Sequence, residues 1–261
     1  MYDEYFIPIP DAGRYLARIG IKDKKEPSLS FLNELIDAHQ LSVPFENIDS
    51  CLLKKPVSIV PADLYEKIVI RKRGGYCFEL NGLFYELLSS LGFNVYPCFC
   101  NVIGGGDADA HSLLMHRGTI VIFDDGEYFC DVGFGGAMPR EAVPLKRTAP
   151  ENDNGFFFLP YKDRWFRLCR VTSSGGCETV LRVHFDEQDK VDFIPANFYG
   201  YTSPDCPFTY KLMVNLRTPD GHVSITNDIF TLQDRSGTHK EQIKDEAALR
   251  GLLAKHFGIS Y

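Results

Sequence analysis

The residue best placed to do chemistry in this 261-residue sequence is Cys77, which follows the glycine pair Gly74-Gly75. The residues after it are apolar at helical spacing up to Gly92: Leu80, Leu83, Phe84, Leu87, Leu88 and Leu91. This spacing predicts a helix that begins at Cys77 and ends at the glycine cap. Unpaired amide groups and the helix dipole favour an anion at that end, so we expect a nucleophilic thiolate. A cysteine taken alone is more often a small packing residue, so a nearby base and acid are also needed.

Two downstream histidines, His111 and His116, are candidates for the base, and Asp131 is the candidate for the acid that orients it. Asp124-Asp125 before a glycine predicts a hairpin turn. With a two-residue loop there, Asp131 lies opposite Gly118, two positions from His116. Because strand side chains alternate, His116 and Asp131 then share a face, whereas His111 needs a bulge or a three-residue loop. This register favours His116, with His111 as the alternative and a strand histidine of no catalytic role as the other interpretation.

The elements that position these residues change in type along the chain. Apolar residues at helical spacing follow Ser28, a predicted N-cap, and recur from 61 to 70, so residues 1–92 are predicted to be helical. Short β-branched and aromatic runs then predict strands at 93–102, 119–123, 128–132, 156–159, 165–171 and 179–185. Three more strands, at 210–216, 223–226 and 229–232, precede a last helix at 246–256. The pattern is typical of an α+β protein.

Composition and charge restrict the classes of protein. An apolar share of 44% and a charged share of 24% are typical of a globular protein, and the net charge of −7 argues against a nucleic-acid partner. We find neither a signal sequence nor a membrane-spanning run, so we expect a cytoplasmic protein with no membrane partner. The eight cysteines are expected to stay reduced, and Cys98-x-Cys100 has no second ligand pair at zinc spacing, so no metal is expected.

Two segments together carry a resemblance to a known family. Residues 73–82 (RGGYCFELNG) and 131–136 (DVGFGG) resemble the signature segments of arylamine N-acetyltransferases. Residues 43–49 (VPFENID) are similar to that family's N-terminal block, and 197–208 to a later one. The resemblance spans nearly the whole chain. It implies a helical bundle at 1–92, an antiparallel β-barrel at 93–195 and an α/β lid at 196–261, built around a cysteine-protease-like core.

The family's catalytic triad corresponds to Cys77, His116 and Asp131, and the separations of 39 and 15 residues suit the family. His111 would make the hairpin unusually long. One departure is that a Thr-His or similar polar pair commonly precedes this strand in the family, whereas Met115 precedes His116. The resemblance implies that acetyl-CoA donates an acetyl group to Cys77, which passes it to an arylamine, arylhydrazine or arylhydroxylamine with ping-pong kinetics.

The family-like blocks also suggest binding residues. Gly135, Gly136 and Phe208 are candidates for contact with CoA, and Phe45 and Phe134 for flat walls around an aromatic acceptor. The other interpretation is that the glycines end a strand and the rings belong to the core. Two further residues, Glu46 and Arg73, resemble the family's buried charged pair, with a structural role beside the nucleophile.

Other functions would use the same three residue types. A related amide synthase would take a long acyl chain from a carrier protein, and a papain-like or transglutaminase-like enzyme would pass the acyl group to water or a protein amine. A non-catalytic binding module would retain the three residues without using them. The sequence names neither the physiological amine nor the oligomeric state.

Overall fold

A computed structural model describes residues 2–150, 155–172 and 174–261, which form seven α-helices and twelve strands. The helices are α1 Ala12–Arg18, α2 Leu29–Ser42, α3 Ile48–Cys51, α4 Pro61–Tyr65, α5 Cys77–Leu91, α6 Phe193–Thr202 and α7 Glu246–Leu252. The strands are β1 Phe45–Glu46, β2 Asn94–Val102, β3 Leu114–Phe123, β4 Gly126–Cys130, β5 Val143–Pro144, β6 Phe156–Lys162, β7 Trp165–Val171, β8 Cys177–His184, β9 Met213–Thr218, β10 Gly221–Thr226, β11 Ile229–Asp234 and β12 Gly237–Gln242. Single π-helical turns extend α4 over Glu66–Ile70 and α7 over Leu253–Phe257.

Helix α5 has the bounds that the sequence predicts. The residue before it, Tyr76, is extended, and its amide donates a hydrogen bond of 3.0 Å to the Glu79 carboxylate, which satisfies a backbone donor at the start of the helix. Gly92 ends the helix with φ of 92°, a left-handed conformation that favours glycine. The face of α5 with Leu80, Leu83 and Leu87 is fully buried among the other helices and against β2 and β3.

A seven-stranded antiparallel sheet in the order β5-β4-β3-β2-β8-β7-β6 forms the middle of the molecule. Its two edges approach each other, because the Phe158 amide in β6 donates 2.7 Å to the Arg147 carbonyl just beyond β5. The sheet is therefore a nearly closed barrel. Its interior is apolar and includes Ile120, Phe129 and Phe185. The predicted α+β fold with a helical N-terminal part and an antiparallel barrel is confirmed.

A second antiparallel sheet, β1-β9-β10-β11-β12, joins the first part of the chain to the last. Phe45 and Glu46 of β1 pair with Asn215 and Val214 of β9. One face of this sheet is buried with residues of α3 and the C-terminal helix, among them Ile48, Ile225 and Phe257. The division of the chain into bundle, barrel and lid at 92/93 and 195/196 stays a prediction. Helix α6 runs across the second of these boundaries.

Some strand bounds differ from those expected. β3 begins at Leu114, five residues earlier than predicted, because its first residues pair with Cys100 and Asn101 of β2. β9 begins at Met213, since a 3₁₀ turn at Pro207–Thr209 takes up the preceding residues. Strand β12 was not predicted because all six of its residues are exposed and polar or glycine, which leaves no alternating pattern.

No helix within the described ranges is long and apolar enough to cross a membrane.

Candidate active site

Cys77, His116 and Asp131 meet where α5 contacts the barrel. Cys77 is the first residue of α5, His116 lies near the start of β3, and Asp131 directly follows β4. The Asp131 Oδ2 lies 2.5 Å from His116 Nε2, and Cys77 lies in contact with the same imidazole. The Cys77 Sγ itself donates a hydrogen bond of 3.5 Å to the Met115 carbonyl, next to His116. Since Asp131 occupies Nε2, Nδ1 is the ring nitrogen left to exchange a proton with the thiol. The three side chains are 2%, 2% and 3% exposed, so bulk water is excluded from their contacts.

The β3–β4 hairpin decides which histidine lies beside Asp131. Phe123 pairs with Gly126 and Thr119 with Cys130, which is the predicted two-residue loop. The register places Asp131 next to His116 on one face of the hairpin, whereas His111 is exposed in the loop before β3. The predicted hairpin register is confirmed, and His111 lies outside the cluster.

Asn81 fixes the orientation of Asp131. Its side-chain amide donates 2.8 Å to Asp131 Oδ1 and 2.6 Å to the Arg117 carbonyl, and its own carbonyl accepts from the Val132 amide at 2.9 Å. The Gly133 amide also donates 2.8 Å to Asp131 Oδ1. The carboxylate is therefore held from two sides, with Oδ2 left for the imidazole. The sequence analysis missed Asn81, although its position four residues after Cys77 places it on the same face of α5.

The charge of His116 follows from its neighbours. Burial opposes protonation, but the Asp131 carboxylate and the contact with Cys77 outweigh it and raise the pKa of His116 to about 10. The imidazole is therefore cationic at neutral pH. The imidazolium and the start of α5 therefore place positive charge on two sides of Cys77.

Buried charges hold the turn that carries Cys77. The predicted pair is present, with the Arg73 guanidinium 2.7 Å from the Glu46 carboxylate. The Lys67 ammonium, which the sequence analysis missed, lies 2.7 Å from Glu79 and 2.6 Å from Asp49. Burial raises the pKa of Glu79 to about 7 against the opposing effect of Lys67. These ion pairs connect α3, the π-helical turn after α4 and the start of α5.

Two glycines near Cys77, Gly74 and Gly133, lie very close to other parts of the chain. A Cβ at Gly74 would lie 1.9 Å from the Pro44 carbonyl oxygen, so only glycine fits there. A Cβ at Gly133 would lie 3.1 Å from the Cys77 Cα, which shows that the 131–136 segment lies directly against Cys77.

Aromatic side chains surround the three residues. Phe134 packs edge to face on His116 with 5.7 Å between ring centroids. Phe208 packs in the same way on Tyr76 at 5.1 Å, and its ring lies 6.1 Å from that of Phe45. Gly135 has φ of 76°, and a Cβ there would lie 2.7 Å from the Phe45 ring, so this close approach also requires glycine.

A cavity of about 300 Å³, named here the inner cavity, adjoins this site. Four of the five predicted binding residues line it: Phe45, Phe134, Gly135 and Gly136. Phe208 and Cys77 are not among its lining residues, and the cavity reaches the triad at Asp131 and Val132. Among the described residues, no group of three or more His, Cys, Asp or Glu side chains is arranged to hold a metal ion.

Comparison with known proteins agrees with this geometry. A family model described as N-acetyltransferase matches residues 28–261. An arylamine N-acetyltransferase of Mycobacterium tuberculosis is 30% identical over 259 residues, covering 96% of this chain and 89% of that protein. This chain belongs to the arylamine N-acetyltransferase family. It is therefore an acyltransferase, and the resemblance of its signature segments to that family is confirmed.

Other members of the family are similar to the chain over their length. An arylamine N-acetyltransferase / N-hydroxyarylamine O-acetyltransferase of Salmonella typhimurium is 30% identical, covering 94% of this chain and 87% of that protein. The structure of the Mycobacterium marinum arylamine N-acetyltransferase in complex with CoA superposes with a TM-score of 0.86 at 28% identity, covering 95% of this chain and 93% of that one.

Proposed function

We propose that this arylamine N-acetyltransferase family member moves an acetyl group from acetyl-CoA, through a thioester on Cys77, to the nitrogen of an arylamine, arylhydrazine or arylhydroxylamine. The observation that carries the proposal is the buried contact of Cys77 with His116, whose other ring nitrogen is bound by Asp131. The CoA complex of the M. marinum relative supports the donor, and the names of the relatives support the acceptor class.

In the first half-reaction the Cys77 thiolate attacks the thioester carbonyl. The new bond forms at Cys77 Sγ, the bond to the CoA sulfur breaks, and the leaving CoA thiolate takes the proton from His116 Nδ1. One thioester replaces another, so the step is nearly balanced in energy. CoA leaves before the acceptor enters, which predicts ping-pong kinetics.

In the second half-reaction His116 acts as a base. The neutral imidazole accepts a proton from the attacking amine, the bond from the acetyl carbon to Cys77 Sγ breaks, and the imidazolium–thiolate pair is restored. Arylamines suit this step because they are neutral nucleophiles at pH 7. Asp131 keeps Nδ1 directed at the reacting atoms throughout by holding Nε2.

The surrounding residues have binding roles in this proposal. Phe45 and Phe134 offer flat apolar walls to an aromatic acceptor, since both border the inner cavity. Gly135 and Gly136, on the same wall, let the CoA arm pass close to the backbone, and Phe208 contacts that arm from beyond Phe45. A cytoplasmic location without nucleic-acid or membrane partners belongs to the same proposal.

The direct test is to incubate the protein with acetyl-CoA and no amine and to locate the added acetyl group by intact and peptide mass spectrometry. We expect one acetyl group on Cys77, which disappears when aniline is added while acetanilide forms. The other seven cysteines are internal controls, and Cys77→Ser should remain unmodified. Acetylation elsewhere, or transfer to Cys77 only from other acyl donors or peptide amides, would refute the proposal and favour the amide-synthase or hydrolase functions.

A further inference from the structure

The inner cavity adjoins a second and larger one. This outer cavity has a volume of about 1050 Å³ and shares Ala137, Met138 and Arg140 with the inner cavity. It lies between the 137–147 segment, strands β7 and β8 of the barrel, and Gln233 of the C-terminal sheet. The two cavities therefore meet at residues 137–140, and a long ligand lying over Arg140 would reach both.

The arginines that line the two cavities differ in whether a carboxylate neutralises them. In the outer cavity Arg147 is bound to Glu141 at 2.9 Å, and Arg170 is paired with Glu178. In the inner cavity Arg217 is bound to Asp37 and donates 2.6 Å to Gln40. Within the described part of the chain, Arg140 makes neither a hydrogen bond nor an ion pair, although it lies on the wall that both cavities share. Its guanidinium is the uncompensated positive charge at the junction.

The shape and charge of acetyl-CoA match the order of the inner cavity, Arg140 and the outer cavity. The acyl end and pantetheine arm are slender and carry no charge, whereas the nucleotide end carries a diphosphate and a 3′-phosphate. An inner cavity of about 300 Å³, with the rings of Phe45 and Phe134 among its walls, suits the arm, and the more polar outer cavity has room for a nucleotide. Guanidinium binds phosphate oxygens through two parallel hydrogen bonds, which makes an unpaired arginine between the two compartments the natural diphosphate contact.

We propose that Arg140 binds the diphosphate of acetyl-CoA, with the pantetheine arm in the inner cavity and the adenosine 3′-phosphate in the outer cavity. This inference rests on the proposed function and adds to it the residue that selects a nucleotide-bearing donor. Arg140 acts on donor binding alone, since the triad is held by the separate contacts of Asn81 and Gly133.

The test compares two thioester donors in the first half-reaction. Acetyl-CoA and S-acetylpantetheine carry the same reacting end, but only acetyl-CoA has the diphosphate and nucleotide. The rate of Cys77 acetylation is followed by quenched-flow mass spectrometry against donor concentration, which needs no acceptor. For Arg140→Ala we expect the half-saturating concentration of acetyl-CoA to rise about tenfold with an unchanged maximal rate. Saturation by S-acetylpantetheine should not change, and Arg140→Lys should restore part of the loss.

The matched control is Arg14→Ala, which removes one exposed arginine of α1 that lines neither cavity. It should leave both donors unaffected. An unchanged half-saturating concentration of acetyl-CoA in Arg140→Ala would overturn the inference, as would an equal weakening of both donors. Failure of the unaltered protein to acetylate Cys77 with either donor would instead refute the proposed function, and the role of Arg140 with it.

Discussion

His116 lies between the Asp131 carboxylate and the Cys77 thiol. Asp131 sets the pKa of the imidazole and determines which ring nitrogen can exchange a proton with the reacting groups. Without the negative charge of Asp131, only the contact with Cys77 would oppose burial, and the pKa of the imidazole would fall from its value of about 10. An asparagine at 131 could still accept hydrogen bonds from Asn81 and Gly133 through its carbonyl. Its amide would then donate to His116 Nε2, which forces the remaining proton onto Nδ1 and removes the base from the reacting side.

We therefore expect Asp131→Asn to fold normally and to lose acetyl transfer by on the order of 10³- to 10⁴-fold. The rate of Cys77 alkylation by iodoacetamide from pH 5 to 10 reports the thiolate directly. At neutral pH the variant should be alkylated more slowly than the unaltered protein, because it lacks the cation beside Cys77. Asp124→Asn, an exposed change at the tip of the same hairpin, is the control and should behave like the unaltered protein. Similar alkylation profiles for the two variants would show that Asp131 does not set the charge of His116.

The turn before α5 is stabilised by ion pairs that are themselves buried. Lys67 is in contact with Glu79 and Asp49, and Arg73 with Glu46 and Asp49, so two cations hold three carboxylates. Removing one partner of a buried group leaves the other charges without compensation. Glu79 also binds the Tyr76 amide, so disturbing it displaces the first turn of the helix that carries Cys77.

For Lys67→Met we expect the free energy of unfolding to fall by about 3–5 kcal/mol in urea denaturation. In the double variant Lys67→Met, Glu79→Gln the loss should be smaller than the sum of the single losses, because the uncharged amide needs no cation and still accepts from Tyr76. The control is Arg71→Met, which breaks a neighbouring ion pair that is exposed and should cost less than about 1 kcal/mol. Equal losses for Lys67→Met and Arg71→Met would contradict a structural role for the buried ion pairs.

The stability of the whole molecule should depend on pH through His39, a buried histidine that is not one of the three residues of the candidate active site. His39 of α2 is fully buried between Tyr15 and Phe84, and neither of its ring nitrogens has a hydrogen-bond partner among the described residues. Burial and the nearby Arg18 lower the pKa of His39 to about 3. The unfolded chain binds a proton there below about pH 6.5, whereas the folded protein does not until about pH 3. Stability is therefore lost as the pH falls through this window.

At pH 5 His39 is protonated in the unfolded chain but not in the folded protein, which corresponds to roughly 2 kcal/mol of lost stability. His39→Phe keeps the shape of the ring without its nitrogens, so urea denaturation at pH 7 and pH 5 should show a loss about 2 kcal/mol smaller than in the unaltered protein. The same change at exposed His111 is the control and should leave the acid sensitivity as it was. If His39→Phe were as acid-sensitive as the unaltered protein, burial of a neutral His39 would not be the cause.

The stability of the protein at alkaline pH should depend on a different residue, His116. The pKa of His116 is raised in the folded protein, so its contribution to stability is complete below about pH 6.5 and is lost as the pH rises towards 10. His39→Phe should leave this alkaline loss unchanged, which separates the two histidines in one set of measurements.

Much of the site follows from local sequence. The amphipathic run after Gly74-Gly75 predicts both ends of α5 and places Cys77 at its start, because helix periodicity and glycine termini act over a few residues. The two-residue turn at Asp124-Asp125 fixes the register of β3 and β4, and with it the choice of His116. In both cases the information is contained within one element or one hairpin.

Contacts between distant parts of the chain required the tertiary structure. Asn81 binding to Asp131 and Lys67 binding to Glu79 depend on how α5 docks on the barrel and on the π-helical turn before it, which no short-range pattern encodes. The exposed strand β12 carries no periodic signal, so its pairing with β11 was decided by the sheet. The same is true of Arg140, whose sequence neighbours give no sign that it lies between two cavities.

The sequence by itself determined helix α5 and the family, and it predicted Cys77 as the nucleophile and His116 as its base, because each rests on residues close in the chain or on signature segments. The tertiary structure decided how the imidazole is charged, which side chains hold the carboxylate, and where a donor can lie. Those properties depend on burial and on distances between elements. Both arise only when the helices, the barrel and the C-terminal sheet are packed together.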